Sequence, residues 1–264
     1  MDSFLIAVLL GIVEGLTEFL PVSSTGHLII TGHLVGFTGE KANIFEVVIQ
    51  LGAILAVVSL YRKRFLGLLR HDPERPFSGR RGVLLLILTS LPASILGLLT
   101  HGLIKSYLFN TTSVAWALAV GAVALLAIEQ CKTRTQYHDL DSITPVLALG
   151  IGLFQCLALW PGFSRAGATI MGGMILGASR KTAAEYSFIA AVPIMFAATG
   201  FDLLQGWKLF AFHDFVFLGI GFVVSYVSAW FAVKAFIRLL SRVTLRPFAV
   251  YRLLIAPLVL FFKI

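Results

Sequence analysis

Two short stretches carry nearly all the groups that could do chemistry. One is Glu14-Gly-Leu-Thr-Glu18 running into Pro21-Val-Ser-Ser-Thr-Gly-His27; the other is Pro161-Gly-Phe-Ser-Arg-Ala-Gly-Ala-Thr169. Each puts ionisable or hydroxyl side chains inside a long apolar segment, where such groups are costly and mark a function by default. The first offers two carboxylates, three hydroxyls and an imidazole. The second offers a guanidinium and two hydroxyls among glycines.

Glu14 and Glu18 stand four apart and project from one helix face. Two carboxylates there repel unless a proton or a cation sits between them. The pair therefore reads as oxygen ligands for a divalent metal or as a general acid or base, against the plainer reading of helix-end glutamates at the membrane surface. Ser23, Ser24, Thr25 and Gly26 would ordinarily be a helix N-cap. His27, three residues after Ser24, adds a base, proton donor or nucleophile beside the hydroxyls.

In the second stretch the small residues let backbone approach a ligand, and its N–H groups open a helix, an arrangement suited to anions. Arg165 has the planar fork that grips two phosphate oxygens at once, and Ser164 and Thr169 are additional hydrogen-bond donors. The competing reading of Arg165 is a side chain snorkelling to the interface. Arg252 and Asp202, inside other apolar segments, read as structural counter-charges.

These groups need elements to hold them, and the composition says which kind. Of 264 residues, 58% are hydrophobic and 13% charged, with a mean hydropathy of +0.91; soluble domains carry about 25% charged residues. The chain is read as an all-α integral membrane protein. The net charge of +8 is no sign of nucleic acid, because the basic residues fall in a few loops rather than along a polar stripe. Cys131 and Cys156 read as buried free thiols, too few for a disulfide framework, and the N-terminus has no basic leader pattern.

A spanning helix needs about 20 apolar residues. Six segments qualify: 44–61, 83–101, 112–131, 183–204, 214–237 and 247–263. Residues 3–20 break at Pro21 and are followed only by the short piece 28–37; residues 146–160 break at Pro161 and are followed by 168–178. Both read as re-entrant helical hairpins facing a polar pocket, where irregular backbone is tolerated at membrane depth. Spacing also repeats: Pro21 precedes Glu46 by 25 residues and Pro161 precedes Glu185 by 24. The prediction is one membrane domain over 1–264, made of repeats 1–133 and 134–264. Each repeat holds a hairpin and three spans, and the odd number makes their topologies inverted. Seven Lys/Arg in loop 62–82, with Lys132, Arg134, Arg180, Lys181, Arg238, Arg242 and Arg246, fall on one side; Lys41, Lys105, Lys208 and Lys263 fall on the other. Positive charge marks the first side as cytoplasmic.

With these motifs quoted, the chain resembles the undecaprenyl-diphosphate phosphatases of the bacitracin-resistance family. The likeness rests on Glu14-x-x-x-Glu18, Pro21–His27 and Pro161–Arg165 with Thr169. It extends through Phe45-Glu-Val-Val-Ile-Gln-Leu-Gly52, Phe154–Trp160 and Pro247-Phe-Ala-Val-Tyr-Arg252; Ala166 stands where many members are expected to carry serine. The resemblance implies removal of the terminal phosphate from a C55 isoprenoid diphosphate, regenerating the monophosphate carrier for cell-wall synthesis, and antagonism of bacitracin through the shared substrate. It implies catalytic roles for Glu14, Glu18, Ser24, His27 and Arg165. Phosphate contacts would come from Arg165, Ser164, Thr169, Ser23, Thr25 and Gly26, with Mg²⁺ or Ca²⁺ at Glu14 and Glu18. Either Ser24 or His27 attacks; the choice preferred is Ser24 with His27 as its proton partner. The expected setting is the bacterial inner membrane, with the undecaprenyl diphosphate site opening to the outer side of the bilayer, no nucleic acid, and a homodimer left open. The alternative is a transporter or lipid-carrier flippase built on the same repeats.

Overall fold

A computed structural model describes residues 3–131, 134–206, 214–240 and 242–262. Lys132, Lys208 and Lys263, counted in the charge argument above, lie outside them. Among the described residues the chain is helical throughout, with only an isolated bridge between Tyr137 and Ala178.

The chain runs through α1 (Ser3–Thr17), α2 (Ser24–Val35), α3 (Glu40–Leu60), a short α4 (Arg62–Gly67), α5 (Gly79–Leu103) and α6 (Thr111–Gln130). After them come α7 (Pro145–Gln155), α8 (Arg165–Ile175), α9 (Arg180–Gly206), α10 (Asp214–Leu240) and α11 (Arg246–Val259). Five of these segments are long and apolar enough to cross a membrane: Glu40–Leu60, Gly79–Leu108, Thr111–Gln130, Arg180–Leu204 and Phe215–Leu240. The sixth expected span, 247–263, forms the 14-residue α11. It ends at Val259, with Pro257 in its last turn.

The two broken segments fold as the prolines require. Helix α1 ends at Thr17 ahead of Pro21, and α2 follows. Helix α7, started by Pro145 at its first turn and by the Thr144 hydroxyl accepting from Leu147 N, tightens into a 3₁₀ turn at Cys156–Leu159 and stops before Pro161. Helix α8 then begins. In both cases the residue before the second helix, Ser23 or Ser164, has positive φ, 69° and 76°. These are the only non-glycine residues in that region of backbone space among the described residues.

Helix packing pairs elements across the chain. α1 and α3 both pack on α10, α5 packs on α7, α6 on α11, and α3 on α9. Close approach depends on small residues, as is usual between membrane helices. A Cβ at Gly15 would stand 2.5 Å from Ser225 O, so only glycine lets α1 lie against α10 there. One end of the bundle gathers the basic segments. Arg64 donates twice to Asp141, at 2.8 and 3.0 Å; Glu129 accepts from Arg180 at 2.8 and 2.9 Å and from Leu245 N. Those bonds tie α4 to the segment ahead of α7, and the end of α6 to the start of α9 and to the residue that precedes α11. At the opposite end the His33 ring meets Phe262 and Phe37 meets Phe217.

Both cysteines are free, but neither is buried: Cys131 is exposed at the end of α6 and Cys156 is half-buried on the 3₁₀ turn. Apolar sequence neighbours did not translate into burial because both positions sit where a helix terminates.

Candidate active site

The two broken segments meet, and Glu18 is the junction. From the turn after α1, its Oε2 accepts from Ser24 Oγ at 2.6 Å. Its Oε1 accepts from Arg165 Nη2 at 3.1 Å. Ser24 and Arg165 are the first residues of α2 and α8, so the carboxylate holds both helix N-termini in one place. Glu18 is 9% exposed and Glu14, a turn earlier, 1%. Glu14 has Glu18, Glu46 and Arg165 as charged neighbours, and its Oε1 has no hydrogen-bond partner.

Arg165 is braced on three sides. Its guanidinium lies over the Phe19 ring, 5.1 Å from the centroid; Nη1 donates to Ser187 O at 3.4 Å, and Nη2 also approaches Met195 Sδ at 3.5 Å. Its Nε is buried and unpartnered, leaving one donor for an anion without disturbing the Glu18 pair.

His27 does not bond to Ser24. Its Nδ1 donates to Ser23 O at 2.7 Å, which makes Nε2 of the neutral ring the acceptor for the Tyr251 hydroxyl, also at 2.7 Å. The rings stack with centroids 5.5 Å apart. Ser24 and His27 are thus one helical turn apart on α2 but belong to separate hydrogen-bond chains.

The expected phosphate contacts divide. Ser164 Oγ caps α8 by accepting from Gly167 N. Thr169 donates to Arg165 O and shares a 2.6 Å hydrogen bond with Ser187 Oγ, so it fastens α8 to α9. Gly26 lies against Leu118, where a Cβ would be 2.9 Å from Cδ1. Ser23 is buried with its carbonyl on His27, and Thr25 is half-buried on the first turn of α2.

Two residues matter more than their sequence setting suggested. Arg252, fully buried, has no carboxylate; its Nη2 donates to Ala117 O, Gly162 O and Phe163 O at 3.2, 3.3 and 2.8 Å. It clamps the turn that ends in Ser164, and Gly121 leaves the notch it fills, since a Cβ there would collide with Nη2. The neighbouring Tyr251 holds His27. Consecutive residues of α11 therefore brace both turns. An arginine in an apolar segment was the available signal for Arg252; Tyr251 was marked only by its place in the run Pro247–Arg252.

No group of three or more His, Cys, Asp or Glu stands together for a metal among the described residues. Glu14 and Glu18 offer a smaller donor set. Both Glu18 oxygens are engaged, so the buried oxygen of Glu14 is the acceptor of the pair left without a partner.

Residues 7–258 match the family described as bacitracin resistance protein BacA. The chain is 69% identical over 262 residues to the undecaprenyl-diphosphatase of Maridesulfovibrio salexigens, covering 99% of each chain. It is 66% identical to that of Nitratidesulfovibrio vulgaris, again over 99% of each, and 55% identical to that of Lawsonia intracellularis over 97% of each. With the family matched over almost its whole length, the chain belongs to the bacitracin resistance protein BacA family.

Proposed function

We propose that this protein is an undecaprenyl-diphosphate phosphatase, a hydrolase that removes the terminal phosphate of the lipid diphosphate and returns the monophosphate carrier to cell-wall synthesis. The observation that carries the reading is the Ser24–Glu18–Arg165 junction: a hydroxyl, its proton acceptor and a phosphate-binding guanidinium, assembled from both halves of the chain. A shared substrate accounts for the link with bacitracin.

In this reading Ser24 Oγ attacks the terminal phosphorus in line with the bridging oxygen, and Glu18 takes the hydroxyl proton. Arg165 holds the equatorial oxygens, where negative charge is spread in the transition state. The isoprenoid monophosphate leaves, and water then cleaves the phosphoserine. His27, fixed by Tyr251, is the second proton carrier. Glu14 and Glu18 would hold Mg²⁺ or Ca²⁺, which supplies neutralisation of the diphosphate charge when bound.

The same reading makes the domain a pair of inverted repeats with two re-entrant hairpins, α1–α2 and α7–α8, and α11 as a sixth, short span. Exchange of the halves supports it: α1 on α10 corresponds to α7 on α5, and Ser23 corresponds to Ser164 in backbone conformation. In this reading the positively charged loop end faces the cytoplasm of a bacterial inner membrane, as the excess of Lys/Arg there supports, with the first hairpin and the site opening to the outer side. That symmetry also favours a second activity, movement of the lipid carrier by alternation of the two halves. Phosphate release from undecaprenyl diphosphate by detergent-solubilised protein tests the first reading, because no gradient exists there. Its absence under conditions where the lipid binds would leave transport as the function.

A further inference from the structure

At the loop end of the bundle, a cavity of about 290 Å³ opens where α3 breaks into α4, walled by Ser59, Tyr61, Arg62, Lys63, Arg64 and Trp230. Its position follows from the fold. Tyr61 ends α3 with φ −102° and ψ 21°, and the chain turns before α4. Tyr226 Oη donates to Ser59 Oγ at 2.9 Å, which fixes α10 against this corner. One turn past Trp230 on α10, Lys234 lays its ammonium over the indole, 4.5 Å from the ring centroid.

The charges are unequally satisfied. Arg64 is neutralised by Asp141, and Glu185 lies near Tyr61 and Arg64. Arg62 and Lys63 are exposed and have no carboxylate partner among the described residues, and Lys234 has only the indole. The cavity therefore combines two cations without an acidic partner, Arg62 and Lys63, with two hydroxyl groups and the Trp230 indole, on which Lys234 rests a further positive charge. It sits at the end of a 21-residue apolar helix, at the level where Trp and Tyr collect along a membrane interface.

We infer that this cavity is a binding site for the phosphate headgroup of an anionic lipid, separate from the Glu18 junction. Basic pockets between membrane helices are the usual receptors for such headgroups. The volume is at the lower bound for small-molecule sites, so it takes a headgroup while the acyl or isoprenoid chain stays in the bilayer. The cavity is about 20 Å along α3 from Glu46, the residue that neighbours Glu14, by the 1.5 Å rise per residue. A phospholipid and an isoprenoid monophosphate present the same phosphate, and the experiment separates them.

The test is lipid binding to the full chain in detergent by native mass spectrometry, comparing wild type with Arg62→Gln/Lys63→Gln. Both positions are exposed, so folding and turnover at the Glu18 junction are unchanged; the melting temperature and phosphate release confirm that. The wild type should retain phosphatidylglycerol over phosphatidylcholine. The variant should bind phosphatidylglycerol about 30-fold more weakly, from the contribution of two surface cations, while Lys63→Arg keeps the affinity. Displacement of phosphatidylglycerol by undecaprenyl monophosphate from the wild type alone would identify the isoprenoid phosphate as occupant; no displacement identifies the phospholipid. Equal retention of the two phospholipids by wild type, equal phosphatidylglycerol binding by wild type and variant, or displacement by inorganic phosphate alone overturns the proposal.

Discussion

Ser24 and Arg165 are separated by most of the chain and bond to opposite oxygens of one carboxylate, Ser24 at 2.6 Å and Arg165 at 3.1 Å. Neither helix that begins with these residues can be moved without breaking a bond to Glu18. This relationship makes the proposed nucleophile and the proposed phosphate clamp interdependent, and the first prediction concerns the group between them.

Glu18→Gln keeps an acceptor for Arg165 but removes the base for Ser24. Turnover should fall roughly 10²–10⁴-fold, the worth of a positioned acid–base group. Ser24→Ala should abolish turnover while lipid diphosphate binding persists. Phosphate release and substrate binding, measured in parallel on both variants, check this; near-wild-type release by Ser24→Ala would pass attack to His27 or to water.

Arg165→Lys keeps the charge and loses the fork. A single ammonium cannot replace Nη1 on Ser187, Nη2 on Glu18 and the free Nε together. Loss of one preorganised donor typically costs about 10²–10³ in kcat, and that is the expected drop. It should appear in kcat more than in KM.

Arg252→Met should act without touching substrate. It leaves the carbonyls of Ala117, Gly162 and Phe163 without their shared donor, at about 1–3 kcal/mol for a buried group left unsatisfied. The Ser164 turn should loosen, lowering both the thermal midpoint and turnover. Gly121→Ala should give the same pair of effects by displacing the guanidinium. A variant of either kind with full activity and lowered stability would restrict Arg252 to folding.

Removal of divalent cations with a chelator should stop phosphate release, and Mg²⁺ or Ca²⁺ should restore it. Glu14→Gln, which alters the one free carboxylate oxygen at the site, should raise the cation concentration needed for half-maximal rate. A chelator without effect on wild type would leave Glu14 with proton transfer instead.

Labelling tests the topology. In a Cys131→Ser, Cys156→Ser background, single cysteines in loop 62–82 should be shielded from an impermeant thiol reagent in intact cells, and one near Lys105 should react. Reaction at 62–82 from outside would reverse the orientation.

What the sequence alone determined follows from local physics. Apolar runs of spanning length, the stops at Pro21 and Pro161, and costly groups in apolar surroundings are all properties of short windows. They suffice for an all-helical membrane chain, its broken segments and the choice of Glu14, Glu18, Ser24 and Arg165 as candidate site residues. The final helix exposed the limit of that reading, because an apolar run to 263 does not fix where a helix stops, and α11 ends at Val259. Partner choice was decided only in three dimensions. His27 is closer in sequence to Ser24 than Glu18 is, yet its ring is turned to Tyr251 and Ser24 is left to Glu18. Thr169 shares a hydrogen bond with Ser187 of another helix, and Arg252 binds carbonyls rather than an acid. A side chain's chemistry is written in its own residue, but its hydrogen-bond partner depends on how distant helices are packed, and α11 reaches both turns only in the folded bundle.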